Sequence, residues 1–313
     1  MTHLSAHSPR LLAKSWEPRQ IGENSPGGSD SSPICRIPGD LARSRKRRKG
    51  PRGAVILFLV LIASPVQAAN NFASNARKIE SKGPLVAPAQ KIPVGEKLAY
   101  EVSWMGVNVG IGTLEIKATI ELEGRRAFHV VAIAETNEVL SKIYPVHDEV
   151  HSWIDAETFQ SLQFQKTVSE GFYRANEVTK YDAANKKGHY ESLKNGTKKE
   201  FDIHVPAHDI ISAFYWARRQ PLEPGKTVKT IVNSDEKDWD LEIETLRRDT
   251  TQVRGWQAFD TLLIEPKTRL KGVLEKRGRV WIYLKNDPSR IPILIQFKTP
   301  FGPIVGVLKK ENT

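Results

Sequence analysis

From about residue 93 onward, apolar and polar residues alternate along the chain. In KLAYEVSW the apolar positions are Leu98, Tyr100, Val102 and Trp104. In TLEIKATIEL they are Leu114, Ile116, Ala118, Ile120 and Leu122, with Glu115, Lys117, Thr119 and Glu121 between them. A period of two over that length predicts strands with one buried and one wet face. The same pattern predicts strands at 128–134, 149–154, 162–169, 173–181, 188–193, 198–203, 227–233, 239–246, 258–266, 279–284, 293–298 and 304–308. Turn signals separate them: Glu123-Gly124, Asn185 to Gly188, Asn195-Gly196, Glu223-Pro224-Gly225, Arg254-Gly255 and Asn286-Asp287-Pro288. Asn195-Gly196 is the strongest, because a two-residue hairpin turn needs positive φ at both central residues. Links this short join only antiparallel neighbours, so the chain reads as a long meander.

One segment departs from the alternation. In HDIISAFYWARRQP, Asp209 is placed to cap a helix, and Ile210, Ala213, Phe214 and Ala217 recur at helical spacing. Arg218 and Arg219 suit its negative end and Pro221 stops it. A dozen or more half-wet strands must curl or close. The expected fold class is therefore all-β and mainly antiparallel: one large, strongly curved meander sheet or open barrel with one covering helix. It forms a single domain over 93–313, without an internal repeat.

The N-terminal third changes where this domain is expected to work. Arg43, Arg45 to Lys49 and Arg52 form a cationic block, Ala54 to Ala63 an apolar run, and Val66-Gln67-Ala68 a small-residue exit. That order predicts a cleavable signal peptide over 41–68, cut after Ala68. Ten apolar residues span roughly 15 Å as a helix, about half a bilayer core, so no permanent anchor is expected. Residues 1–40 carry no hydrophobic period and end in Pro, Gly and Ser clusters, which predicts a disordered extension and a translation start near Leu41. Residues 69–92 read as a flexible linker.

Removing the leader also changes the charge. The chain is formally +11, but residues 1–68 hold 11 Lys+Arg against 4 Asp+Glu, leaving 36 against 32 in the rest. The basic character is the leader's, which argues against nucleic acid as a partner. Cys35 is the one cysteine and precedes the cut. The exported part thus has no disulfide, thiol nucleophile or lipidation site, and its 245 residues (69–313) suffice for a core without such staples.

Candidate chemistry is sparse. His147, Glu149 and His151 share one strand face and have metal-ligating side chains, but alternation places them toward solvent. His204 and His208 are interrupted by Pro206 and do not form a helical pair. Asp235, Glu236, Asp238 and Asp240 lack the glycine of a calcium loop and read as a solvated hairpin tip. Asp148, Asp155, Glu170 and Asp209 are candidates for a carboxylate pair of unknown separation. No nucleophile elbow, phosphate loop or HExxH motif is present. Asn195-Gly196-Thr197 matches a glycosylation acceptor, a short pattern that says little beyond a surface turn. The aromatics Trp104, Trp153, Trp216, Trp239, Trp256 and Trp281, with Tyr100, Tyr144, Phe214 and Tyr215, either fill the core of a curved sheet or line a groove in it. Gly106 and Gly110 mark a bulge or a close backbone approach.

Several ordered stretches resemble the exported bacterial family of unknown function DUF3108. They are PVGEKLAYEVSWMGVNVG (93–110), YPVHDEVHSWID (144–155), EGFYR (170–174), HDIISAFYWAR (208–218), LEPGK (222–226) and GRVWIYLKNDPSRIPILIQFKTPFG (278–302). Gly95, Glu96, Tyr100, Trp104, Gly110, Asp148, Asp155, Asp209, Ser212, Tyr215, Trp281, Asp287 and Pro292 match the family's pattern, whereas His147 and His151 do not. The resemblance implies a periplasmic envelope protein of a Gram-negative bacterium built on antiparallel sheet, with no activity to carry over.

The reading that follows is a soluble, non-catalytic periplasmic protein. Its concave sheet face binds an apolar or amphiphilic envelope component, such as a lipid or lipoprotein, or a partner protein. One helix cannot cover one long apolar face, and a large uncovered patch marks a binding surface. Tyr100, Trp104, Tyr215 and Trp281 are expected near that groove. Asp148, Asp155, Asp209 and Ser212 are the polar positions of the family pattern. No cofactor and no metal are expected. The alternatives are a carboxylate-dependent hydrolase of envelope polysaccharide and a structural scaffold with a filled core.

Overall fold

The computed structural model describes residues 93–253, 255–270 and 278–310. The expected extension (1–40), signal peptide (41–68) and linker (69–92) lie outside the described residues, as do Cys35 and Arg254. Among the described residues there are fourteen strands. They are β1 Lys97–Trp104, β2 Val107–Leu122, β3 Arg125–Thr136, β4 His147–Asp155, β5 Ser161–Glu170, β6 Tyr173–Asp182, β7 Lys187–Ser192, β8 Lys198–Asp202, β9 Thr227–Ser234, β10 Lys237–Thr251, β11 Phe259–Leu270, β12 Arg279–Lys285, β13 Pro292–Thr299 and β14 Gly302–Leu308. The expected helix is α2, Ile210–Arg218, and a four-residue helix α1, Glu138–Ser141, precedes β4. Sequence alternation gave no sign of α1, which is a single turn capped by the Asn137 side chain on Leu140 N–H. No helix among the described residues is long and apolar enough to cross a membrane.

All fourteen strands form one open antiparallel sheet in the order β8-β7-β6-β5-β4-β3-β2-β1-β14-β13-β12-β11-β10-β9. Consecutive strands pair throughout except β8 and β9, which are the two edges, and one seam joins strands far apart in sequence, where β1 meets β14 with Tyr100 opposite Leu308 and Trp104 opposite Ile304. The sheet therefore has two wings, β1–β8 and β9–β14, zipped together at its middle, with α2 in the connection between them.

Turn chemistry fixes the register. Met105-Gly106, Glu123-Gly124 and Asp235-Glu236 are two-residue links with positive φ at both positions, the twist that antiparallel hairpins favour. Asn195-Gly196, expected to be such a turn, is not one. Its link spans Leu193 to Thr197, only Gly196 has positive φ, and the Asn195 side chain accepts from Thr197 N–H. The longer loop removes the demand for a left-handed Asn. Gly106 serves a turn, whereas at Gly110 any Cβ would collide with the Glu135 carbonyl of β3. Val109 is an extra residue in the register between Val102 and Ser103, so Gly110 sits beside a bulge as well.

The sheet curls until its far strands touch. Lys166 on β5 pairs with Asp235 at 3.3 Å, and Lys199 on β8 with Glu236 at 2.7 Å. The chain after β8 lies between the wings. Ser161 N–H donates to Ala207 C=O at 3.0 Å, and Asn233 N–H to His208 C=O at 2.7 Å. This strap satisfies backbone groups that an open edge leaves exposed.

Candidate functional site: an apolar cavity under helix α2

Helix α2 is buried on two faces. Ile211 and Tyr215, one turn apart, pack with Ile116, Val130, Ala132, Val150 and Ile154 of the first wing. Ala213 and Ala217 pack with Val232, Leu241, Ile243, Leu262, Ile264 and Leu284 of the second. A helix apolar on more than one side belongs inside a core. Alanine on the second face reaches less far toward the sheet than leucine or phenylalanine. Ala132 and Ala134 of β3 are equally short, and a cavity of about 150 Å³ remains. Its wall is aliphatic and aromatic, with Leu114, Phe214, Ile243, Ile282, Ile295 and Phe297 among the lining side chains.

The two ends of α2 are tied down by buried polar groups. At its start Asp209 accepts from the N–H groups of Ile211 at 2.7 Å and Ser212 at 2.9 Å. Its second oxygen accepts from Ser152 Oγ at 2.7 Å and Ser161 Oγ at 2.5 Å. Burial pushes the Asp209 carboxyl up, and the two serines and two backbone N–H groups work against that push. At the end of α2, Arg218 makes a bidentate pair with Glu96, Nη1 to Oε1 at 2.6 Å and Nη2 to Oε2 at 2.8 Å, and Nη2 also donates to Ser289 C=O at 2.7 Å. Burial opposes the charge on Arg218, but the Glu96 hydrogen bonds more than offset it. Arg218 and Tyr100 give the cavity one polar end. Tyr100 Oη donates to Pro292 C=O at 2.9 Å. Burial holds the Tyr100 and Tyr215 hydroxyls well above their ordinary pKa, so both are neutral.

The four aromatics expected at the groove divide. Tyr100 lines the cavity, and Tyr215 is buried in the adjoining core on α2. Trp104 is instead an exposed residue at the β1–β2 turn, where its Nε1 donates to Phe301 C=O at 2.8 Å. Trp281 alternates with the cavity-lining Val280 and Ile282, so it faces the other side of β12, under the Arg279 guanidinium.

Nor do the expected carboxylates converge. Asp148 and Asp155 sit at opposite ends of β4, seven residues and roughly 23 Å apart. Asp155 pairs with Arg125 at 2.8 Å and accepts from Thr158, which together hold it below its ordinary range despite burial. Asp209 spends one oxygen on the helix cap and the other on Ser152 and Ser161, and Ser212 donates to the Asp209 carbonyl at 3.1 Å. Asp148 is buried, accepts from Ser169 N–H at 2.7 Å, and is pushed up to about 6 by that burial. Glu170 is buried at the end of β5.

His151 stacks with His129 and Trp153, its Nδ1 lies 2.9 Å from His129 Nε2 and its Nε2 lies 3.0 Å from Glu149 Oε1. His147 instead meets Glu135 at 3.3 Å. Among the described residues no group of three or more His, Cys, Asp or Glu side chains is arranged to hold a metal ion. His204 pairs with Asp238 on the β9–β10 hairpin at 2.8 Å, while His208 is buried, contacts the Phe159 carbonyl and is lowered to about 4 by burial.

Sequence reasoning missed the Arg218–Glu96 pair, assigning Arg218 only to the helix dipole. The signal available was Glu96 itself, a carboxylate directly before a strand.

A crystal structure of a β-barrel-like protein of the domain of unknown function DUF1849 from Brucella abortus is similar over 69% of this chain and 96% of that one, at 9% identity and a TM-score of 0.48. No curated protein matches the chain. The sequence profile described as protein of unknown function, DUF3108, matches residues 99–309, which spans all but the first two residues of the seam strand β1, the whole of α2 and the cavity wall. The chain belongs to the DUF3108 family.

Proposed function

We propose that this protein is an exported, non-catalytic component of the bacterial envelope that holds the apolar chain of an amphiphile in the cavity beneath α2. One observation carries the reading: a space of about 150 Å³ walled by both wings of the sheet and by the helix, with its polar end already neutralised by the Arg218–Glu96 pair. A cavity of that size in a protein interior stays dry and accepts an apolar group about as large as benzene, because water needs several polar partners that such walls do not supply. It takes a segment of a chain rather than a whole lipid, so the head of the amphiphile stays outside.

Protein isolated from its native envelope without added lipid, then extracted and analysed by mass spectrometry, is expected to release an amphiphile in a fixed ratio to protein. Ala134→Leu narrows the cavity and is expected to weaken saturable binding of a fluorescent fatty acid. Absence of any bound amphiphile, together with fatty-acid binding unchanged by Ala134→Leu, overturns the reading in favour of a scaffold.

A further inference from the structure

The exposed apolar side chains of this protein are not scattered. Among the described residues twelve large hydrophobic side chains are exposed, and ten of them lie at one end of the sheet. The strand order places the β1–β2, β3–β4, β5–β6, β7–β8, β9–β10 and β13–β14 links at that end, because every pairing is antiparallel and Trp104 of β1 is opposite Ile304 of β14. All of these links but β9–β10 carry at least one such side chain: Met105 and Val107, Ile143, Phe172, Leu193 and Phe301. Ile143 is 81% exposed, Phe301 73% and Phe172 fully so.

These tips are held, not loose. Met105 N–H donates to Pro303 C=O at 2.9 Å and Asn137 N–H to Val109 C=O at 3.0 Å. Gly171 N–H donates to Pro145 C=O at 2.8 Å, and Lys194 Nζ to Arg174 C=O at 3.0 Å. Successive links are thereby joined along the rim, from β13–β14 through to β7–β8. Tips two strands apart are spaced roughly 10 Å along the edge.

We infer that this rim docks the protein on the surface of an anionic lipid bilayer. Single apolar side chains set apart at regular intervals suit a deformable surface, which fills the space between them, whereas a protein partner needs one closely packed patch. Charge points the same way. The β3–β4, β5–β6 and β7–β8 tips carry the exposed cations Lys142, Arg174 and Lys194 and the exposed acid Glu138, while Asp235 and Glu236 of the β9–β10 tip at the same end are paired with Lys166 and Lys199. Cations beside apolar anchors are the pairing that anionic headgroups attract. The cavity wall continues toward the same end, since Val280 and Phe297 lie within two residues of the ends of β12 and β13 there. Docking goes beyond the cavity reading and does not require it.

The test uses the full-length protein with Cys35→Ser and a single new cysteine carrying an environment-sensitive fluorophore at Val107, Phe172 or Asn185, the last on the β6–β7 link at the opposite end. Vesicles of phosphatidylglycerol and phosphatidylethanolamine are expected to blue-shift the label at 107 and 172 and leave it unchanged at 185. Ile143→Ser with Phe172→Ser and Phe301→Ser is expected to weaken the rim's vesicle binding by about tenfold or more, as three large side chains no longer leave water. Ala134→Leu, which narrows the cavity, is expected to leave docking intact, so failure of one proposal is distinguishable from failure of the other. Sedimentation with vesicles while the 107 and 172 labels stay unshifted assigns binding to the leader alone and overturns docking. Equal shifts at all three positions, or a rim that ignores vesicles but cross-links to an envelope protein, overturn it as well.

Discussion

Arg218 and Glu96 are 122 positions apart in the sequence and face each other through two charge-assisted hydrogen bonds, with side chains 2% and 7% exposed. The pair fastens the end of α2 to the residue before β1, closing the polar end of the cavity. Removing one partner leaves a buried charge without compensation. Glu96→Ala is therefore expected to cost about 3–5 kcal/mol in urea denaturation, and Glu96→Leu with Arg218→Met to restore much of it. A single variant as stable as the wild type would show that solvent reaches Arg218.

Asp209 links the start of α2 to β4 and β5 through four hydrogen bonds. Asp209→Ala is expected to cost about 3–5 kcal/mol, from the lost cap and from two buried serine hydroxyls left without their acceptor. Asp209→Asn keeps an oxygen for the backbone N–H groups, and the serines then accept from the amide, so its cost should be about 1–2 kcal/mol. Equal losses for Ala and Asn in chemical denaturation followed by circular dichroism would rule out the capping account.

Asp148 predicts a pH dependence with a definite sign. Burial raises its carboxyl from an ordinary 3.8 to about 6, so between those values the folded state holds the proton more tightly than the unfolded chain. Its contribution is most favourable below pH 4 and is lost as the pH rises through 6. Asp148→Asn is expected to flatten that slope and to stabilise the protein at pH 8 by about 1–2 kcal/mol. Urea midpoints from pH 4 to 8 for both proteins check it, and parallel curves would place the dependence on another group.

Gly110 and Gly196 should respond oppositely in rank to what turn propensity suggests. Gly196 has positive φ but open space around its Cβ position, so Gly196→Ala is expected to cost about 1 kcal/mol from backbone strain. Gly110 has no unusual φ, yet a Cβ there meets the Glu135 carbonyl, and β2 and β3 must separate locally. Gly110→Ala is expected to cost more than about 2 kcal/mol, read as a lower thermal midpoint.

The alternation of β1 and β2, the cap at Asp209 and the stop at Pro221 were legible because each depends on near neighbours in the chain. Trp104 and Trp281 were not placed correctly at the groove. Their residue type marks an aromatic that seeks cover, but which face of the curl is concave depends on strands far away in sequence. Asp148 and Asp155 looked available to one another for the same reason. Seven residues are close in a list of letters and span nearly a whole extended strand.

By itself the sequence determined the class of structure: period-two alternation commits the backbone to strands, short turns commit neighbours to antiparallel pairing, and one helical stretch interrupts them. The tertiary structure alone decided that β1 meets β14, that α2 wedges between the wings above a void left by short alanines, and that five separate turns bring their apolar tips to one rim. Local periodicity is written in consecutive residues. A cavity or a rim arises from the distances between residues that the chain keeps far apart, and those are set only when the sheet curls and the core packs.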